Sequence, residues 1–306
     1  MSAIPEPIHV RPVPRPGRWV SGVIVALLFA GVVYSLVTTP AYRWDLVGAY
    51  LVDPRVLAGL GWTLLLTVGA MVVGIVLAVT MAIMRQSTNP VLRVVSWAYI
   101  WFFRGTPIYT QLVFWGLISV LYPRIVIGVP FGPELFAVDT DTVITAAISA
   151  VLGLGLNEGA YLAEIVRSGL NSVDRGQAEA ATALGMKRSL VMRRIIIPQA
   201  MRVIVPPTGN ETISMLKTTS LVAAVPFGLE LTFVTNAVGN KQFQPVPLLL
   251  VAAIWYLVIT SLLMVGQHYL EAYYGRGFDS RPSTRSAKQR SMSATTHPNR
   301  FFDTTP

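Results

Sequence analysis

Two stretches of 29 residues, Val56–Met84 and Gln242–Leu270, contain no Asp, Glu, Lys or Arg. A helix rises 1.5 Å per residue, and about 20 apolar residues cross the roughly 30 Å hydrocarbon core of a bilayer. In hydrocarbon every backbone polar group must be satisfied within the segment, so such runs are read as transmembrane helices. Four weaker runs accompany them. Trp19–Val37 is uncharged, Val94–Tyr122 is broken only by Arg104, and Val143–Ala163 holds only Glu158. Val203–Val234 carries Glu211, Lys217 and Glu230, and Pro206 with Pro207 is expected to cap its start. Six candidate spans predict an all-α, polytopic integral membrane protein. Only 13% of the 306 residues are charged, against about 25% in soluble domains, which excludes a soluble enzyme.

The basic residues orient these spans. With the N-terminus inside, the inner segments collect three before the first span, Arg85 and Arg93, seven from Arg167 to Arg202 and six from Arg276 to Arg300. The outer segments hold only Arg43, Arg55, Arg124 and Lys241. The positive-inside rule places both termini in the cytoplasm. The net charge of +9 therefore follows membrane topology. No aromatic interleaving or binding motif suggests nucleic acid. The first span is expected to be a retained helix: it is longer than a signal-peptide core, and no small-x-small cleavage site follows it. Residues 1–18, rich in proline, and 275–306, rich in Ser, Thr and Arg, are expected to be disordered cytoplasmic tails.

No phosphate-binding loop, H-E-x-x-H or G-x-S-x-G occurs. Cysteine is absent, and His9, His268 and His297 are scattered, so no metal site and no catalytic group is expected. The informative segment is the inner loop 167–202. A first short helix is expected near Asp174–Leu184, with Asp174 as cap and Gly185 at its C-terminal turn. A second is expected over Arg188–Ile197, stopping at Pro198. Ala178, Ala181 and Ala183 leave the first helix small-surfaced, better suited to a cytosolic protein than to lipid.

Glu179-Ala180-Ala181, Gly185, Ile195 and Ile197-Pro198 follow one another at the spacing of the EAA loop of ABC importer permeases. The family carries leucine before the proline, where this chain has Ile197. Glu164-Ile165-Val166-Arg167, Gly176-Gln177-Ala178-Glu179, Pro198-Gln199-Ala200, Arg104-Gly105-Thr106-Pro107 and Leu216-Lys217-Thr218-Thr219-Ser220-Leu221 resemble the polar amino-acid branch, the histidine- and glutamine-type permeases. The resemblance spans roughly residues 57–271 and implies a five-helix type I importer core, with residues 19–38 as an added N-terminal helix. It implies that the loop 167–202 is a coupling-helix pair on a separate ATPase subunit, through Glu179, Ala180, Ala181, Gly185, Ile195 and Pro198. It further implies a second permease subunit, identical or paralogous, a periplasmic substrate-binding protein, and a bacterial inner-membrane location. ATP is then used by the partner, and this chain binds no cofactor.

Ionisable groups inside spans are candidates for the substrate path, because burying them unpaired is costly. Asn210, Ser214 and Lys217 share a helical face, and Glu211, Ser214 and Thr218 share an overlapping one. A zwitterionic amino acid needs an acceptor for its ammonium, which Glu158 or Glu211 could supply. Its carboxylate needs donors, which Lys217 and Thr218 could supply. The alternative for Glu158 and Lys217 is an interhelical ion pair. Arg104 is expected to satisfy carbonyls freed by Pro107, with contact to a substrate carboxylate as the competing reading. Ala70, Gly74 and Ala78 form a small-residue row that could pack within the subunit or against a second permease. The sequence thus predicts the permease of an ATP-driven, binding-protein-dependent importer of polar amino acids. The alternatives are an importer of a related small zwitterion such as an opine or compatible solute, a stand-alone ion-coupled carrier and a membrane anchor without transport function.

Overall fold

The computed structural model describes residues 16–129 and 133–275. The rest of the two expected tails lies outside the described residues. In chain order the helices are α1 (Pro16–Thr38), α2 (Trp44–Leu51), α3 (Pro54–Arg85), α4 (Pro90–Gly105), α5 (Ile108–Gly116) and α6 (Ile118–Leu121). Strands β1 (Arg124–Gly128) and β2 (Glu134–Asp139) follow, then α7 (Thr140–Val143), α8 (Ala146–Asn171), α9 (Arg175–Ala183), α10 (Arg188–Val191), α11 (Ile197–Thr218), α12 (Leu231–Lys241) and α13 (Pro245–Tyr274). The predicted helical membrane architecture stands. The antiparallel hairpin β1–β2, pairing Arg124 with Asp139, is a small addition that periodicity did not show.

Helices α1, α3, α8 and α13 are long and apolar enough to cross a membrane alone. Their ends carry local signals. Asp53 accepts the Arg55 N–H at 2.9 Å at the start of α3, with Pro54 in the first turn. None of the apolar stretch of α1 is buried by the rest of the chain.

The core is the seam between α3 and α8. Ala70 and Ala78 are fully buried, and glycines on α8 face them. A Cβ at Gly155 would stand 2.8 Å from Val73 Cβ, and one at Gly159 would stand 2.8 Å from Leu77 Cβ and from the Tyr99 hydroxyl. The small-residue row therefore packs within one subunit. Close backbone approach substitutes for the hydrophobic drive that helices lack in lipid.

Two predicted spans are corrected. The third is broken: α4 ends at Gly105, Thr106 and Pro107 are extended, and α5 restarts at Ile108. Arg104 does not take the freed carbonyls. Gln111 Nε2 donates to Phe103 O (3.0 Å) and Thr106 O (3.1 Å), and Asn157 Nδ2 donates to Phe103 O (3.0 Å). Neutral amides meet those carbonyls without burying a charge. The fifth span neither begins at Pro206–Pro207 nor runs to Val234. Both prolines lie inside α11, which ends at Thr218. Gln267 Nε2 donates to Pro206 O at 2.7 Å and ties α13 to α11 beside the two prolines, and Thr208 Oγ1 donates to Ile204 O at 2.8 Å. A Cβ at Gly209 would clash with Gln267 Oε1, so this contact needs glycine there. Glu230, assigned to the same span, instead caps α12. It is fully buried and accepts from Thr63 Oγ1 (2.8 Å), the Thr232 N–H (2.7 Å) and the Tyr256 hydroxyl.

Candidate functional site: a coupling loop and a polar cavity

The candidate coupling loop is built almost entirely from neighbours in sequence. Asp174 Oδ1 accepts the Gly176 N–H at 2.6 Å and starts α9. At the other end the Met186 N–H reaches Ala181 O (3.1 Å) and the Gly185 N–H reaches Thr182 O (2.9 Å). This is the Schellman closure, and it requires a left-handed residue at Gly185, whose φ is +77°. Nothing crowds a Cβ there, so glycine is needed for its backbone angle and not for space.

The second coupling helix does not stop at Pro198. Residues 192–196 form a π turn and the chain continues into α11, so helical structure runs unbroken from Arg188 to Thr218. Pro198 is the second residue of α11, where the i→i−4 ladder has already been shifted by the π turn, and its missing N–H costs little. Gln199 Nε2 donates to Gln177 Oε1 at 2.6 Å and ties α9 to the base of α11.

Of the residues expected on the ATPase, Glu179, Ala180 and Pro198 are exposed and Ile195 is half-buried. Ala181 is 3% exposed, which corrects its assignment to the docking face. Its missing bulk lets α9 close on the chain that follows. Leu184 was missed. It caps α9, is 83% exposed, and projects a large apolar side chain from the end of a helix otherwise made of small and polar residues.

The intramembrane candidates divide between two cavities. Glu158, Glu211, Ser214 and Thr218 line one of 450 Å³, closed on another side by Arg104 and Tyr161. Arg104 lies 5.2 Å from the Tyr161 ring centroid, a cation–π contact that orients the guanidinium without neutralising it. Glu158 is 5% exposed, and its Oε1 has no hydrogen-bond partner. Gly74 leaves room for it, since a Cβ there would stand 3.0 Å from Glu158 Cγ. Asn210 and Lys217 face a separate cavity of 330 Å³ with Gln267, His268 and Glu271, and Ser214 borders both. Glu158 and Lys217 form no ion pair, because α11 turns Lys217 toward a different cavity from the one that Glu158 lines from α8.

Residues 70–274 match the family model described as binding-protein-dependent transport system inner membrane component. The chain belongs to this family. It is 50% identical to the arginine transport system permease protein of Corynebacterium glutamicum over 96% of its own length and 90% of the relative's. It is 37% identical to the octopine transport system permease protein of Rhizobium meliloti, covering 73% of this chain and 84% of that one. Among solved structures, an amino acid ABC transporter crystallised with histidines superposes with a TM-score of 0.60 at 32% identity, over 72% of this chain and 94% of that chain.

For this inner membrane component, sequence reasoning missed Leu184, Tyr161, Gln111 and Asn157. A large apolar residue immediately before the C-terminal glycine of a polar helix was an available signal for Leu184. The other three carry no signal of their own, because their roles depend on which helix faces them.

Proposed function

We propose that the chain is the permease subunit of an ATP-driven amino-acid importer whose cargo carries a cationic side chain, arginine first among them. The observation that carries this reading is the composition of the 450 Å³ cavity: two carboxylates, Glu158 and Glu211, and one guanidinium, Arg104. Arginine presents two cations, its ammonium and its guanidinium, and one carboxylate. The set complements that charge pattern group for group, and Ser214 and Thr218 add neutral hydrogen-bonding capacity. The similarity to an arginine permease agrees with it. The opine alternative keeps support from the octopine relative. Family membership displaces the carrier and anchor readings.

In this reading Glu179, Ala180 and Leu184 seat against a separate ATPase subunit. The continuous helical stretch from Arg188 to Thr218 carries their displacement to Glu211, Ser214 and Thr218 at the cavity. A rod packed by Gln199 and Gln267 moves as a body, which suits switching between two packed states. A second permease, of the same or a paralogous sequence, completes the path, and a binding protein delivers cargo from outside. Both termini lie in the cytoplasm, as the basic-residue bias requires.

Reconstituted transporter tests the cargo reading. A charge-assisted contact is worth roughly 1.5–3 kcal/mol, so Glu158→Gln and Glu211→Gln should each lower arginine uptake about tenfold or more. Uptake of a neutral amino acid should fall less. Equal losses for both cargoes would leave the carboxylates reading only the shared ammonium, and unchanged arginine uptake in both variants would remove them from the path. The chain has no native cysteine, so a single one at Ser172 reports orientation, and labelling from the periplasm would reverse it.

A further inference from the structure

We propose that the cytoplasmic ends of α3 and α4 hold an anionic phospholipid by its phosphate. The uncharged run of α3 ends at Met84 and Arg85 follows directly. That run is about 43 Å long at 1.5 Å per residue, longer than the hydrocarbon core, so Arg85 stands at headgroup level. The chain then reverses in residues 86–89. Ser87 Oγ accepts the Asn89 N–H (3.1 Å), Asn89 Oδ1 accepts the Val91 N–H (2.9 Å), and Pro90 opens α4. This short, locked connection returns Arg93 to the side of Arg85, whose Nη1 lies 3.5 Å from the Arg93 carbonyl oxygen. The two arginines, with Val94 and Trp97, line an open cavity of 290 Å³.

The site is built for an anion that the chain does not supply. Among the described residues Arg85 and Arg93 pair with no carboxylate, which is also true of arginines in the loop 167–202 such as Arg193 and Arg194, but here the two guanidiniums border one cavity. Two guanidiniums on one cavity repel each other unless an anion lies between them. A phosphate diester matches their forked donors. The side of α4 that borders the cavity continues into the membrane through Trp97 and Trp101. Their rings stack 6.0 Å apart at 13° and are 50% and 64% exposed, a ramp for an acyl chain below the phosphate. A cytosolic protein would meet the arginines but not these tryptophans. A zwitterionic lipid would bring a third cation to the cavity, so the occupant is anionic.

The test uses the complete transporter, with its ATPase subunit, in nanodiscs of phosphatidylcholine doped with labelled phosphatidylglycerol. At roughly fivefold per arginine, Arg85→Gln with Arg93→Gln should weaken retention of the labelled lipid about 30-fold. Lysine at both positions should restore most of it, and Trp97→Leu should weaken it less. The proposal is overturned if the glutamine pair retains phosphatidylglycerol like the wild type, or if phosphatidylcholine competes as well as phosphatidylglycerol. It is equally overturned if inorganic phosphate alone displaces the label, which would make the cavity a plain anion pocket. Loss of the ATPase subunit at unchanged lipid retention would assign the arginines to a protein contact instead.

Discussion

Residues 174–186 close on themselves: the N-cap, the Schellman bonds and the turn at Gly185 all join residues within five positions of one another. The membrane cavity does the opposite. Arg104, Glu158 and Glu211 come from α4, α8 and α11, and no two of them share a helix. The loop is specified by backbone geometry and tolerates little change in conformation. The cavity is specified by packing between helices and depends on residues behind its lining, such as Gly74 behind Glu158. One region should therefore fail by losing a shape while the membrane part stays folded. The other should fail either by losing the seam that assembles it or by losing a single charge.

The largest effect is expected from the seam. A Cβ at Gly159 already falls 2.8 Å from Leu77 and Tyr99, so Gly159→Leu must push α3 from α8. Overpacking costs typically 1–3 kcal/mol and more where backbone is in the way. The variant should express poorly and unfold in detergent well below the wild type. A thermal midpoint equal to that of the wild type would show that the cavity does not rest on this seam.

Next comes the loop. Gly185→Val places a β-branched residue at φ +77°, a strain of roughly 1–2 kcal/mol in the turn itself. Membrane insertion and thermal midpoint should change little. Binding-protein-stimulated ATP hydrolysis and uptake should drop together, by about tenfold, because both helices proposed to meet the ATPase are displaced. Global destabilisation in this variant would break the distinction between a locally built loop and a tertiary cavity.

The smallest effect sharpens the division inside the membrane. One of the two sequence readings pairs Lys217 with Glu158, and Lys217 faces the other cavity. Lys217→Met should therefore leave arginine uptake within about twofold of the wild type, while Glu158→Gln does not. A loss comparable to that of Glu158→Gln would put the two residues on one path after all.

The legibility of each region follows from the same contrast. Asp174, Gly185 and the EAA spacing were readable because a capped turn is a property of a short sequence window. Ala181 was read as a contact residue because its small size is visible and its burial is not. The two long uncharged runs announced helices in a bilayer. The broken third span was visible only as an Arg-Gly-Thr-Pro anomaly. That Gln111 and Asn157 repair it could not be read, since Asn157 lies on a helix more than 50 residues away in the chain.

Sequence alone determined that the chain lives in the membrane, because the cost of leaving backbone groups unsatisfied in hydrocarbon leaves helices as the answer to an uncharged run of 29 residues. It also determined the coupling turn, because only glycine takes that angle without strain. Tertiary structure decided that Pro198, Pro206 and Pro207 all lie within one long helical stretch, where a π turn shifts the ladder ahead of Pro198 and Gln267 packs α13 against α11 at Pro206. It also decided which charges face one another. A side chain's helical phase is local, but its partner is set by the neighbouring helix, and in lipid that choice rests on close packing of small residues distributed along the whole seam.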